Sequence, residues 1–162
     1  MQARDAKVQA MSLFGAQKVS GTTIEEVANL VKNYFKGRGL DHHKQEIPGA
    51  EGCGWWLTEG SAKVYVFVQD SPAGPVIRIT SPIVYIPEVE HERFYRRLLD
   101  LNSNLASCHL ATYENYVLVL TQRQTAGISQ EEVDSMVWNV AYVADLLDDK
   151  LAAEFGTQLY RE

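Results

Sequence analysis

Six side chains could ligate a soft or borderline metal ion: His42, His43, Cys53, His91, Cys108 and His109. Tetrahedral zinc sites draw ligand pairs from spacings such as C-x-x-C or H-x-x-x-H, because one loop or helical turn must aim both at the ion. None of the six is spaced that way. Residues 43–47, closed by Pro48-Gly49, read as a short edge strand, in which adjacent His42 and His43 face opposite sides. No metal and no cofactor is expected.

Nucleophilic catalysis needs a nucleophile held beside a base. Ser61, in Glu59-Gly60-Ser61-Ala62, lacks the second glycine of a nucleophile elbow and sits in a hairpin turn. Cys108 and His109 are neighbours in sequence, so a strand throws them to opposite faces, and Cys108 reads as a buried free thiol. Gly49, Gly52 and Gly54 do not lie between a strand and a helix, and Gly37-Arg38-Gly39 follows a helix, so neither group cradles phosphate. The trio Arg93, Arg96 and Arg97 has acidic neighbours at helical spacing: Glu90, Glu92 and Asp100. Such a face reads as solvated ion pairs. With no catalytic set, an enzyme is not expected.

Aromatic placement says more. Trp55, Trp56, Tyr65, Phe67, Trp138 and Tyr142 cannot all lie on one buried face of one small sheet. Either some pack in the core and others at loops, or they form a protein–protein surface, since aromatic anchors carry much of interface energy. A homodimer seam is the simplest such surface.

The elements that must position these residues follow from periodicity. The chain has 162 residues, enough for one well-buried core and too few for two ordinary domains. In Lys63-Val64-Tyr65-Val66-Phe67-Val68-Gln69, valines point one way while Tyr65 and Phe67 point the other, so both faces are apolar. One face is expected under helices and the other against a second chain. A helix opens at Thr22 or Thr23 with a capping box to Glu25 or Glu26, carries Ile24, Val27, Ala28, Val31, Tyr34 and Phe35, and stops at Gly37 and Gly39. Trp55-Trp56-Leu57-Thr58 is a strand with Trp55 and Leu57 on one face and Trp56 and Thr58 on the other; Gly60-Ser61 turns into the valine strand. Residues 76–86 form the next strand, with a bulge, break or edge position at Pro82.

A second helix is expected over residues 87–105, with Phe94, Leu98, Leu101 and Leu105 as its stripe and Tyr95 and Leu99 widening it. Two strands then turn at Glu114-Asn115. The last helix starts at Ser129 with Glu132 in a capping box and ends near Gly156. It has an inner row from Val133 to Leu151 and an offset row of Trp138, Tyr142 and Leu146. Strands in runs, not single alternation with helices, predict an α+β fold: an antiparallel sheet with helices packed on it. Residues 1–21 are expected as an N-terminal arm, 22–156 as a single domain and 157–162 as a C-terminal tail.

A net charge of −6 argues against a phosphate-backbone binder, so no nucleic acid is expected. Two distant cysteines fit a reducing compartment. The first residues lack a signal peptide's apolar stretch, and no run is long enough to span a bilayer. A soluble cytoplasmic protein without membrane contact is expected.

The element order, together with Gly60-Ser61-Ala62-Lys63-Val64, Ile79-Thr80-Ser81-Pro82-Ile83, Phe94-Tyr95-Arg96-Arg97-Leu98-Leu99-Asp100-Leu101-Asn102 and Val140-Ala141-Tyr142-Val143-Ala144-Asp145, resembles the YbjN-like families that share the fold of class I type III secretion chaperones. Among these families is an uncharacterised cyanobacterial group. The resemblance runs from Thr22 to Phe155 and implies a fold, dimerisation and a binding role, with no catalytic residue. The functional expectation is a non-enzymatic, chaperone-like or regulatory homodimer that binds a protein or peptide, with Trp55, Trp56, Tyr65, Phe67, Trp138 and Tyr142 as interface candidates. The alternative is a small-molecule sensor or unrecognised enzyme with a pocket between helices and sheet, near Trp55 and Trp56.

Overall fold

The computed structural model describes residues 22–161; the expected arm at 1–21 lies outside them. Helix α1 (Ile24–Gly37) is followed by β1 (Cys53–Glu59), β2 (Ala62–Gln69) and β3 (Val76–Tyr85), then α2 (His91–Asn102), β4 (His109–Tyr113), β5 (Tyr116–Gln124) and α3 (Gln130–Phe155). The strands form one antiparallel sheet in the order β1-β2-β3-β5-β4. This is the α+β arrangement expected.

Local chemistry sets most of the boundaries. At the start of α1, the Thr23 backbone N–H donates to Glu26 Oε2 at 2.7 Å, and the Glu26 N–H donates back to Thr23 Oγ1 at 3.2 Å. Ser129 and Glu132 repeat the device at α3, and Gly156 ends that helix with φ at +61°. Each pair satisfies N–H groups that a first turn otherwise leaves without partners.

Helix α2 is shorter than its apolar pattern predicts, beginning at His91 and ending at Asn102. Glu90 has a left-handed backbone, φ +59°, which ordinary helix propagation forbids. The His91 ring Nε2 donates to the Pro87 carbonyl at 2.8 Å, capping the approach from outside the helix. At the other end the Asn102 amide clasps Leu110 of β4, accepting from its N–H at 2.7 Å and donating to its carbonyl at 3.1 Å.

Pro82 lies in the central strand, where the β3–β5 register slips between Pro82 and Val84. A residue without an N–H is accommodated by that bulge. Strand β2 pairs with β3 only as far as Tyr65↔Thr80. Beyond that point the C-terminal segment takes over the edge. The Tyr85 N–H donates to the Gln158 carbonyl and the Tyr160 N–H to the Ile83 carbonyl, each at 2.9 Å. Residues 157–160, expected as a tail, are thus bonded into the sheet. Residues 43–47 make a single bridge, Glu46↔Trp55, and residues 42–45 form a turn instead of the expected edge strand.

Alternation divides the sheet. Trp55, Leu57, Val64, Val66, Val68, Ile77, Ile79, Val117 and Val119 join one buried cluster with the inner residues of all three helices. Trp56, Tyr65, Phe67, Leu118 and Leu120 lie outside that cluster, on the face that none of the three helices covers.

Candidate partner-binding surface

Helix α3 carries more apolar residues than the sheet can receive. Val133, Val137, Val140, Ala144, Leu147 and Leu151 are buried against it. Each residue step turns the helix by about 100°, so the row through Trp138 rotates away from the sheet. Trp138, Tyr142 and Leu146 are 54%, 53% and 39% exposed. Four-residue spacing stacks the Trp138 and Tyr142 rings 5.0 Å apart, with planes only 6° from parallel. The result is a preformed, flat aromatic ridge in water.

Trp138 walls two hollows. On one side a groove of about 760 Å³ runs between α1 and α3, lined by Asn33, Tyr34, Arg38, Asp134 and Asn139. Gln130 ties the two helices at one end of it, donating from Nε2 to the Leu30 carbonyl at 3.0 Å. Arg38 is ion-paired with Glu59 of β1. On the other side, Glu59, Gly60, Ala141, Tyr142 and Asp145 line a smaller hollow of about 180 Å³.

The β1–β2 turn fixes this corner. Ser61 Oγ donates to Asp145 Oδ1 at 2.6 Å, and the Ser61 N–H donates to the same oxygen at 3.2 Å. These bonds to the ionised form hold the Asp145 carboxyl below the usual aspartate range. Asp148, 3.4 Å from the same hydroxyl, is pushed up by burial. Gly60 has φ at +62°, and a Cβ there would come within 3.2 Å of Asp145 Oδ1. Any other residue at this apex would meet a strained backbone and crowd the Asp145 carboxylate.

The six aromatic residues expected at an interface do not form one surface. Trp138 and Tyr142 make the ridge. Trp56, Tyr65 and Phe67 share the outer sheet face, where Tyr65 and Phe67 stack at 6.5 Å and the Lys63 ammonium lies 5.2 Å from the Trp56 ring centre. Trp55 is corrected to a core residue: its face of β1 turns toward the helices, leaving it 2% exposed. The Trp55 side chain joins the core cluster, and the hollow beside it, about 470 Å³, lies between Lys32 of α1 and the loop before β1.

A further patch escaped the sequence reading. Tyr95 and Leu99, expected to widen the apolar stripe of α2, are 41% and 69% exposed. This helix covers the sheet margin, and Phe94 and Leu98 suffice for its buried side. The signal was the excess width of the apolar stripe. The arginines beside it are partly as expected: Arg93 pairs with Glu90 at 3.1 Å, whereas Arg97 reaches Glu154 of α3 at 3.1 Å and not Asp100.

The two candidate nucleophiles are held in other ways. Cys108 is buried, which pushes its thiol up and away from the thiolate form. Ser61 is engaged with two carboxylates and not with an imidazole base.

Residues 50–162 match the family model described as "T3SS (YopN, CesT) and YbjN peptide-binding chaperone 1". The chain belongs to this peptide-binding chaperone family. The ridge, both hairpins and helices α2 and α3 fall within the matched span, while α1 precedes it. Among curated proteins no sequence matches. Of solved structures, a chain of the ExsC–ExsE complex is 18% identical, with a TM-score of 0.59, over 79% of this chain and 95% of that one. A chain of the heterodimeric ExoU–SpcU complex from the type III secretion system of Pseudomonas aeruginosa is 11% identical, with a TM-score of 0.55, over 74% of this chain and 95% of that one. At such identities the likeness is one of fold, and the fold is that of the secretion chaperones. Among the described residues, no helix is long and apolar enough to cross a membrane.

Proposed function

We propose that this member of the peptide-binding chaperone family is a non-enzymatic cytoplasmic homodimer that holds an extended polypeptide along the α3 ridge. The observation that carries the reading is the stacked, half-exposed pair Trp138 and Tyr142, continued by Leu146 and flanked by the α1–α3 groove. Rigid aromatic rings bury large area at little entropic cost, which makes them good anchors for a mobile chain. Trp56, Tyr65 and Phe67 extend the apolar surface on the sheet side. The two solved neighbours are each complexes of two different proteins, which accords with a protein partner here.

For the second copy, the α2 patch is the stronger seat. Among the described residues Leu99 is the most exposed large apolar side chain, at 69%, whereas Leu118 and Leu120 of the outer sheet face are already at 6%. A two-fold contact through Tyr95 and Leu99 removes more apolar surface from water than one through those leucines.

Light scattering on the full chain should give the mass of two chains, and Leu99→Asp should give that of one. Isothermal titration with a reduced, carboxymethylated model protein should show binding, and Trp138→Ala should weaken it severalfold or more while circular dichroism stays native. A monomer at tens of micromolar, or binding indifferent to Trp138, counts against the proposal. The α1–α3 groove, about 760 Å³, also falls within the size range of small-molecule pockets. A small polar ligand between Arg38 and Asp134 is therefore the second reading, and its binding would survive Tyr142→Ala.

A further inference from the structure

Residues 42–45 fold as a turn, and this removes the geometry that keeps adjacent histidines apart. The His42 and His43 rings have centroids 4.0 Å apart, with planes at 52°. Glu46 follows them at the four- and three-residue spacings that bring side chains to one side of a helical turn. One ligand atom from each of His42, His43 and Glu46 lies within 4.8 Å of the other two, and His43 Nδ1 is 3.8 Å from Glu46 Oε1. Metal–ligand bonds of about 2.0–2.2 Å set neighbouring donors of a tetrahedral ion roughly 3.4 Å apart. Small side-chain rotations therefore close the three onto one ion.

Two further observations point the same way. His42 Nδ1 is buried and has no hydrogen-bond partner among the described residues. The backbone beneath the cluster is also held: the His43 N–H donates to Asp41 Oδ1 at 3.1 Å, the Lys44 N–H to the Asp41 carbonyl at 3.0 Å, and Glu46 is bridged to Trp55 of β1. Ligands on a frame tied to the sheet lose less freedom on binding than ligands on a loose loop.

We propose that His42, His43 and Glu46 form a site for one divalent transition-metal ion of the zinc type. Two imidazoles and a carboxylate suit zinc, nickel or copper, whereas magnesium and calcium favour all-oxygen shells. Three protein ligands leave the fourth position to water. Lys32 lines the hollow beside His43 and Glu46, so an ion bound there has a positive charge for a neighbour. No residue of the α3 ridge takes part, so the site is independent of polypeptide binding.

Isothermal titration of the full chain with zinc chloride tests this, with circular dichroism to confirm that each variant is folded. One ion should bind per chain at micromolar affinity. His42→Ala, His43→Ala and Glu46→Gln should each weaken binding by about tenfold or more, since loss of a mere outer-shell partner already costs about 10–100-fold. His109→Ala, which removes an exposed imidazole on β4, should leave it unchanged. No saturable binding at millimolar zinc, or binding that persists in the folded His42→Ala/His43→Ala double variant, overturns the proposal.

Discussion

The two apolar rows of α3 share one helix and one hydrophobic character, yet the row from Val133 to Leu151 is buried and the row of Trp138, Tyr142 and Leu146 is in water. The difference is geometric. A sheet accepts one side of a helix, and α1 reaches α3 only near its N-terminal half, where Gln130 meets Leu30. What the sheet and α1 leave uncovered stays solvated. The comparison teaches that the inner row sets stability and the outer row is available for binding.

The largest expected effect tests the first half of that statement. Leu151→Ala, at a side chain 1% exposed, should cost about 2–5 kcal/mol in urea unfolding. Trp138→Ala removes a larger side chain and should cost under about 0.5 kcal/mol, as surface substitutions do. Equal costs would erase the distinction between the rows.

Next comes the converse. Trp138→Ala and Tyr142→Ala should each weaken binding of an unfolded polypeptide by about 2 kcal/mol or more, the scale of an interface anchor. Leu151→Ala should leave the affinity of the folded fraction unchanged. A smaller effect is expected at the cap shared by both rows. Ser129→Ala should cost about 1 kcal/mol of stability and leave polypeptide affinity intact, because the ridge lies beyond the first turn.

The smallest effect is one of pH. Hydrogen bonds from Ser61 depress the folded-state Asp145 carboxyl, so its contribution is present above the ordinary aspartate range and is lost as pH falls through the depressed value. Burial raises Asp148, whose contribution has the opposite sign: it is present at low pH and is lost as pH rises through the raised value. Carboxyl carbon shifts followed by NMR should show Asp145 titrating below Asp148. Ser61→Ala should move Asp145 up and flatten its share of the acid response.

Much of this was legible in the residues. The Thr23/Glu26 and Ser129/Glu132 pairs mark helix starts because a capping box is local chemistry, readable at a three-residue spacing. Gly60-Ser61 marked its hairpin, and Pro82 its bulge, for equally local reasons. The misses were tertiary. The turn that brings His42 to His43 depends on Asp41 and on Glu46 meeting β1, which no periodicity encodes. Residues 157–160 have no strand pattern of their own and pair only because β2 leaves the β3 edge vacant. Of the candidate surface, the offset row on α3 was visible as four-residue spacing. The burial of Trp55 and the exposure of Leu99 depended on which neighbours each face would find.

The central pairing of the sheet also governs how quickly it can form. Strands β1, β2 and β3 meet through short turns, but the β3–β5 ladder joins residues as distant as Val76 and Gln124, enclosing α2 and β4 in the loop. The entropy of closing that loop is lost before its contacts are gained. Folding should therefore wait on a single long-range zipper. In stopped-flow refolding, Val119→Ala in β5 should slow the folding limb, while Leu57→Ala in β1 should chiefly speed unfolding.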